Sequence, residues 1–226
     1  MVATPGRLLD HVEQRNTALS HVEIVVLDEA DRMLDMGFLP DISRILKLLP
    51  AKRQSLMFSA TFSPEIKKLA ANFLNQPKLV EVARENSTAK TIQQKLFEVH
   101  DSEKVDALLD LLDDEMCEDA KNILVFVNSK IACRRLARTL TQYGIEADAI
   151  HGDKTQDERT KTLEAFKQGK VRVLVATDVA ARGLDIADLP VVINYDVPFN
   201  AEDYVHRIGR TGRAGMKGLA LTLMCP

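Results

Sequence analysis

The chain has 226 residues, 46% of them hydrophobic, and sets 30 Lys and Arg against 33 Asp and Glu for a formal charge of -3. That length supports one large domain or two modest ones. No run approaches the roughly 18 apolar residues of a membrane span, and the N-terminal residues lack a signal-peptide pattern, so a cytoplasmic setting is expected. A near-neutral balance excludes a global positive field, so a nucleic acid would need a local groove. Cys117, Cys133 and Cys225 have no metal-type spacing and read as free thiols.

In chain order, the first signal is Thr4-Pro5-Gly6-Arg7. Thr as N-cap with Pro at the first helical position predicts a helix start, and a helix N-terminus beside an Arg is also a ready phosphate site. The apolar run EIVVLD (23 to 28) predicts a strand ending in the acidic cluster Asp28, Glu29 and Asp31. Ligands collect beyond the carboxyl ends of strands in open parallel sheets. There Asp28 can hold the magnesium ion that bridges nucleotide phosphates, and Glu29 can orient and deprotonate a water. The competing account is that the three acids merely open the following helix, whose dipole favours them. A helix is predicted over Leu39 to Leu49, a strand at QSLMFS (54 to 59) and a helix from Pro64 to Leu74. Ser59 and Thr61 are small hydroxyl donors able to reach Asp31; alternatively Thr61 or Ser63 caps the next helix.

The polar stretch ARENSTAKTIQQ (83 to 94) reads as an interdomain linker. The expected division is a first domain at 1–83, a linker at 84–93 and a second domain at 94–226. The first part is expected to hold three strands, too few for a doubly wound sheet of ordinary size. The other part is expected to be complete or nearly so, with helices over Lys104 to Leu112, Ile131 to Tyr143 and Thr155 to Phe166. Its strands are KNILVFVN (121 to 128), VRVLVAT (171 to 177) and PVVINY (190 to 195). Strands apolar throughout, alternating with amphipathic helices, indicate parallel sheets covered on both faces, hence an α/β fold.

Three motifs lie in the later part of the chain. In HGDKTQDER (151 to 159), Gly152, Lys154 and Thr155 resemble a P-loop, but that pattern needs Gly, Lys and Ser/Thr to be consecutive. Asp153 intervenes and would repel a phosphate, so this is not read as an ATP site. In VATDVAARGLDI (175 to 186), Thr177 and Asp178 could cap a short helix ended by Gly183. HRIGRTGRAG (206 to 215) carries Arg207, Arg210 and Arg213 at three-residue spacing with glycines between them. Guanidinium groups so arranged can approach a triphosphate bidentately. Arg210 and Arg213 are the candidates; a flexible Arg-Gly loop would not explain His206 or Tyr204.

D-E-A-D at 28 to 31 and S-A-T at 59 to 61, followed in order by the last two motifs, make the chain similar to the DEAD-box family of ATP-dependent RNA helicases. The resemblance covers essentially the whole chain, and VATPGRLLD with RMLDMGF resembles the bacterial RhlE-like branch. It implies two RecA-like domains, the first incomplete, with ATP and Mg2+ as cofactors and RNA as partner. It further implies that Thr4, Gly6, Arg7 and Thr177 hold the RNA backbone. Gly152, Gln156 and Arg159 would contact RNA phosphates or the neighbouring RNA-binding loop. Asp185 is assigned to the ATP ribose, Arg182 to the contact between domains, and Ser59 and Thr61 to coupling through Asp31 and His206. Arg210 and Arg213, with His206, belong to the catalytic group; such arginine fingers can be worth about 10³ to 10⁵ in rate.

The family's P-loop and its adenine-reading glutamine motif do not occur in this sequence, which has no G-K-[ST] triplet. The resemblance therefore implies an N-terminally truncated fragment with negligible ATPase activity alone. It also implies that LALTLMCP (219 to 226) stops where the resembled fold would continue into its last strand or helix. RNA contacts are expected to be mostly to phosphate and 2′-OH and largely sequence-independent. Two other readings compete: a DNA-stimulated translocase of the same superfamily, and a non-enzymatic RNA-binding fragment whose RNA affinity ATP does not change.

Overall fold

The computed structural model describes residues 1–81, 92–181, 184, 186, 188–212 and 217–226. They divide into two compact units, Met1–Glu81 and the described part of Val82–Pro226. Most of the expected linker at 84–93 lies outside the described residues, and its last two positions, Ile92 and Gln93, already belong to a strand.

The first unit runs α1 (Pro5–Glu13), β1 (Ile24–Leu27), α2 (Ala30–Asp35), α3 (Leu39–Leu48), β2 (Gln54–Met57) and α4 (Pro64–Phe73). The expectation of three strands is corrected to two among the described residues, β1 and β2, paired in parallel with Val26 opposite Leu56. Successive side chains of a strand face opposite ways. Leu27 and Met57 turn inward against Ala30, Ile42, Ile66 and Leu69, while Ile24, Val26 and Leu56 stay exposed on the other face. Ser63, not Thr61, caps α4, its hydroxyl accepting from Ile66 N at 3.3 Å with Pro64 at the first helical position.

The second unit contains β3 (Ile92–Glu98), α5 (Lys104–Asp113), α6 (Glu115–Glu118), β4 (Ile123–Val127), α7 (Lys130–Gln142) and β5 (Ala147–Ile150). It continues with α8 (Gln156–Lys167), β6 (Val173–Thr177), α9 (Asp178–Ala181), β7 (Val191–Asn194), α10 (Ala201–Ile208) and β8 (Gly218–Met224). Its strands form one parallel sheet in the order β3-β8-β7-β4-β6-β5. Because both faces are covered, alternate residues of one strand enter different cores. Val125, Val175 and Ile193 pack with Leu112, Leu136 and Leu140. Leu124, Leu174 and Val192 pack with Ile150, Phe166 and Ile186. This is why the central strands read as unbroken apolar runs.

Periodicity in the sequence does not predict β3 or β5, and these are the two edges of the sheet. An edge strand is covered less completely and carries polar residues, so IQQKLFE and ADAI lack the run that marks a buried strand. The segment LALTLM (219 to 224) forms most of β8. At the start of β8, Gly218 passes so close to Thr211 and Gly212 that a Cβ would fall 2.2 Å from Thr211 Oγ1, a position only glycine can occupy. Strand β4 has β6 on one side and β7 on the other. The chain thus changes direction across β4, and the carboxyl ends of β4, β6 and β7 gather at the edge where open α/β sheets place their sites.

Candidate nucleotide and RNA site

In the first unit, β1 delivers Asp28 and Glu29 to solvent at its carboxyl end. Glu29 stands at the N-cap of α2 in the left-handed region, φ 51° and ψ 49°, which a non-glycine residue adopts at a cost of about 1–3 kcal/mol and which clusters at functional sites. The turn is held from both sides: Glu29 N donates to Asp28 Oδ1 at 3.0 Å, and Ala30 N donates to Phe58 O at 3.0 Å, tying α2 to the end of β2. No cluster of three or more His, Cys, Asp or Glu side chains forms a metal cage among the described residues. A solvent-facing carboxylate such as Asp28 suits magnesium, which takes one or two protein carboxylates and completes its shell with phosphate oxygens and water.

Asp31 behaves differently. Its Oδ1 accepts from Arg32 N, and its Oδ2 accepts from Ala60 N and Thr61 N, all at 3.0 Å. Three main-chain donors around one carboxylate make charge-assisted bonds stronger than neutral ones. The expected hydroxyl contacts are corrected: Asp31 grips the S-A-T segment through its backbone, and Ser59 Oγ is buried with no partner among the described residues. The hydroxyls lose because two consecutive N–H groups of a turn converge on one acceptor, whereas side chains on neighbouring residues diverge.

Thr4 is the N-cap of α1 ahead of Pro5, as predicted, but its side chain makes no capping bond, and Thr4, Gly6 and Arg7 are exposed. Arg7 forms a surface ion pair with Asp10 at 3.0 Å, too exposed to hold it strongly.

In the second unit, Gly152 and Gln156 are exposed before and at the start of α8, whose N-cap Thr155 forms a capping box with Glu158. Arg159 reaches inward, its Nη2 donating to Ala180 O at 3.1 Å. The rejection of a P-loop here has a structural reason beyond the pattern. Lys154 Nζ donates to Asp148 Oδ1 and Thr162 Oγ1, both at 2.9 Å, so it turns into the unit. Burial alone would raise the Asp148 carboxyl, but the bonds from Lys154, Thr162 and Ala149 N outweigh it and hold the pKa below the usual carboxylate value. Asp153 is drawn to Lys130 at 2.9 Å and Arg134 at 2.6 Å. The buried His151 titrates below its ordinary value, first because of burial and then because of Arg134.

Thr177 ends β6. Asp178 is not a helix cap, since both its carboxylate oxygens accept from Arg207 at 2.7 Å. The idea that three arginines reach a triphosphate is likewise corrected: Arg207 is 1% exposed and wholly engaged inside the unit. Helical phase explains the sorting. On α10, Tyr204, Arg207 and Ile208 stand at i, i+3 and i+4 and face inward, while Val205 and His206 face out. That phase could have been counted in the sequence. Arg210, just past the helix, is half-buried, and its Nη1 donates to Leu184 O and Ile186 O at 3.4 Å. Arg182, Asp185, Gly183 and Arg213 lie outside the described residues.

An acidic strand end tied to a following strand, and a parallel sheet with polar groups converging at its carboxyl edge, form the arrangement of an open α/β ligand-binding domain, and the matches make these helicase domains of RecA-like type. Residues 1–69 match the family model described as DEAD/DEAH box helicase, and residues 103–215 match the helicase conserved C-terminal domain. The chain belongs to the DEAD-box RNA helicase family. It is 50% identical over all its 226 residues to the ATP-dependent RNA helicase CshA of Listeria monocytogenes, covering 43% of that protein. It is 49% identical to CshA of Geobacillus kaustophilus, covering 48%. The chain thus spans less than half the length of these curated relatives. Among solved structures, Saccharomyces cerevisiae Dbp5 bound to RNA and ADP BeF3 matches with a TM-score of 0.86 at 34% identity, over 100% of this chain and 59% of that one. A DEAD box protein from Methanococcus jannaschii matches with a TM-score of 0.57 at 43% identity, over 99% and 60%. These relatives do not single out an RhlE-like branch, and the family assignment is the level that holds.

Proposed function

We propose that the chain is part of an ATP-dependent RNA helicase that couples RNA-stimulated ATP hydrolysis to local opening of short duplexes or remodelling of ribonucleoprotein. The observation that carries this reading is the clamp of Asp31 on Ala60 N and Thr61 N. It ties the acidic strand end, where phosphate chemistry would occur, to the S-A-T segment, so a shift at one is felt at the other. Asp28 would hold Mg2+, which bridges phosphate oxygens and neutralises charge that develops on them. Glu29, exposed beside it, would orient and deprotonate the attacking water. Arg210 and Arg213, with His206, would face the transferring phosphoryl, and Asp185 the ribose. Thr4, Gly6, Arg7, Gly152, Gln156, Arg159 and Thr177 would hold the RNA backbone, and Ser59, Thr61 and Arg182 would serve coupling. The exposure of Thr4, Gly6, Arg7, Gly152 and Gln156 supports that assignment.

Among the described residues no helix is long and apolar enough to cross a membrane. All three cysteines are free, which suits a reducing, cytoplasmic setting.

The test is ATP turnover by the full-length protein with RNA and with DNA of the same sequence. RNA is expected to stimulate and DNA not; equal stimulation would point to a DNA-stimulated translocase. Glu29→Gln is expected to retain ATP binding and lose at least about 100-fold in kcat. Turnover at the wild-type rate would remove Glu29 from its role.

A further inference from the structure

Arg207 has five N–H groups to satisfy, and every one has an acceptor. Its Nε donates to Asp178 Oδ1 at 2.7 Å. Its Nη2 donates to Asp178 Oδ2 at 2.7 Å and Asn128 Oδ1 at 2.8 Å. Its Nη1 donates to Asp196 O at 2.6 Å and, more distantly, to Asn194 Oδ1 at 3.4 Å. The guanidinium carbon also lies 5.1 Å from the centroid of the Phe126 ring, within cation–π range. These acceptors belong to three different strand ends: Asn128 follows β4, Asp178 follows β6, and Asn194 and Asp196 close β7.

The network continues outward. Asn128 N donates to Asp196 Oδ2 at 2.9 Å, and Asn128 Nδ2 donates to Val197 O at 2.9 Å. Asp196 also pairs with the buried Lys104 at 3.4 Å. Asn128 is therefore fixed through its main chain and through both side-chain atoms, one of them by Arg207. A buried ion pair is a poor source of stability, since apolar residues of similar size often serve as well or better. What a planar five-donor fork provides instead is fixed geometry.

We infer that Arg207 is a positioning residue that locks the RNA-facing strand ends of the second unit to the helix bearing the phosphate-facing groups. The inference rests on the proposed function. Thr177 precedes Asp178, Lys130 follows Asn128 by two residues and pairs with Asp153 beside Gly152, and His206 and Arg210 flank Arg207 on α10 and just beyond it. Displacement of the β6 or β4 end cannot occur without moving the guanidinium, and the guanidinium moves α10. Arg207 touches neither RNA nor nucleotide in this scheme, so its loss should weaken the coupling between them more than the binding of either.

The test compares the full-length wild type with Arg207→Lys, Asp178→Asn and the double variant. Lysine keeps the charge but cannot serve Asp178, Asn128 and Asp196 together. Arg207→Lys is expected to lower kcat at saturating RNA and ATP at least about 10-fold, normalised to the folded fraction from circular dichroism. KM for ATP and the half-saturating RNA concentration should change less than about threefold. Because both residues form one lock, the double variant should be no slower than the slower single variant. If effects multiply, or kcat is unchanged, the lock is wrong. If KM for ATP rises about 10-fold at unchanged kcat, Arg207 reaches the nucleotide and the inference is also overturned. Should Arg207→Lys fail to fold, Asn128→Ala removes one acceptor of Arg207, together with the donor to Val197 O, and is expected to lower kcat about threefold; unchanged turnover there counts equally against the lock. A wild type that shows no RNA-stimulated turnover would instead refute the proposed function.

Discussion

The two units organise the same kind of strand end in opposite ways. In the second, the parallel sheet is covered on both faces, and Leu124 and Leu174 are wholly buried at its centre. In the first, two strands shield one face only, and Val26 on the other is 51% exposed. The acidic turn of the first unit is nevertheless tied to the end of β2 by hydrogen bonds from Ala30 N to Phe58 O and from Ala60 N and Thr61 N to Asp31 Oδ2. The turn at Asp28 to Asp31 is fixed by main-chain hydrogen bonds to the end of β2, whereas Arg207 can be buried as a charge because the parallel sheet supplies acceptors on three strand ends.

The largest expected effect sharpens the contrast in core. Leu174→Ala should destabilise the second unit by about 3–4 kcal/mol through lost burial and a residual cavity. Val26→Ala in the first should change the stability of the 226-residue chain by less than about 0.5 kcal/mol. Urea unfolding reads the second unit by tyrosine fluorescence, because there is no Trp and the three Tyr residues, Tyr143, Tyr195 and Tyr204, all fall there, while amide hydrogen exchange of β1 and β2 reads the first. A comparable loss in both variants would break the comparison.

Next in size is Asp31→Ala. Removing the acceptor of three main-chain donors should cost about 2 kcal/mol. Protection of the Ala60 and Thr61 amides against hydrogen exchange should fall while the second unit is unaffected. Unchanged protection would mean that the clamp does not hold the S-A-T segment.

Capping gives a smaller and more pointed contrast within the first unit. Ser63→Ala should destabilise α4 by about 1 kcal/mol, since its hydroxyl accepts from Ile66 N. Thr4→Ala should cost only a few tenths, because Thr4 makes no capping bond. If Thr4 serves RNA, its variant should instead weaken RNA binding by the full-length protein. Equal stability losses would show that Thr4 is a structural cap after all.

The smallest effect at neutral pH concerns Asp148. Its native pKa lies below the unfolded value, so its stabilising contribution is complete above the ordinary aspartate pKa of about 3.9. It is lost as pH falls through the lowered native pKa. Asp148→Asn should lower the stability of the second unit at neutral pH and flatten the acid limb below about pH 4. An acid limb as steep as that of the wild type would deny Asp148 its role.

Legibility followed chemistry of different ranges. The central strands were readable because burial on both faces leaves an apolar run, and α4 was readable because Pro64 and its buried positions are local signals. The edge strands β3 and β5 were not, since partial exposure removes the pattern. Asp28 and Glu29 could be singled out by their position at a strand end, but Asp31's partners lie 29 and 30 residues away, and residue type alone favoured hydroxyls over main-chain N–H groups.

From its order of residues alone this chain determined an α/β architecture, the succession of its motifs and its membership of the DEAD-box family, because these depend on periodicity and short-range spacing. Only the tertiary structure decided that Arg207 meets acceptors from three strand ends, that Lys154 turns inward to Asp148, and that Asp31 binds backbone. Each of these depends on which acceptors the strand order brings together, as with Arg207 and Asn128, which are 79 residues apart and meet only because β4 lies between β6 and β7.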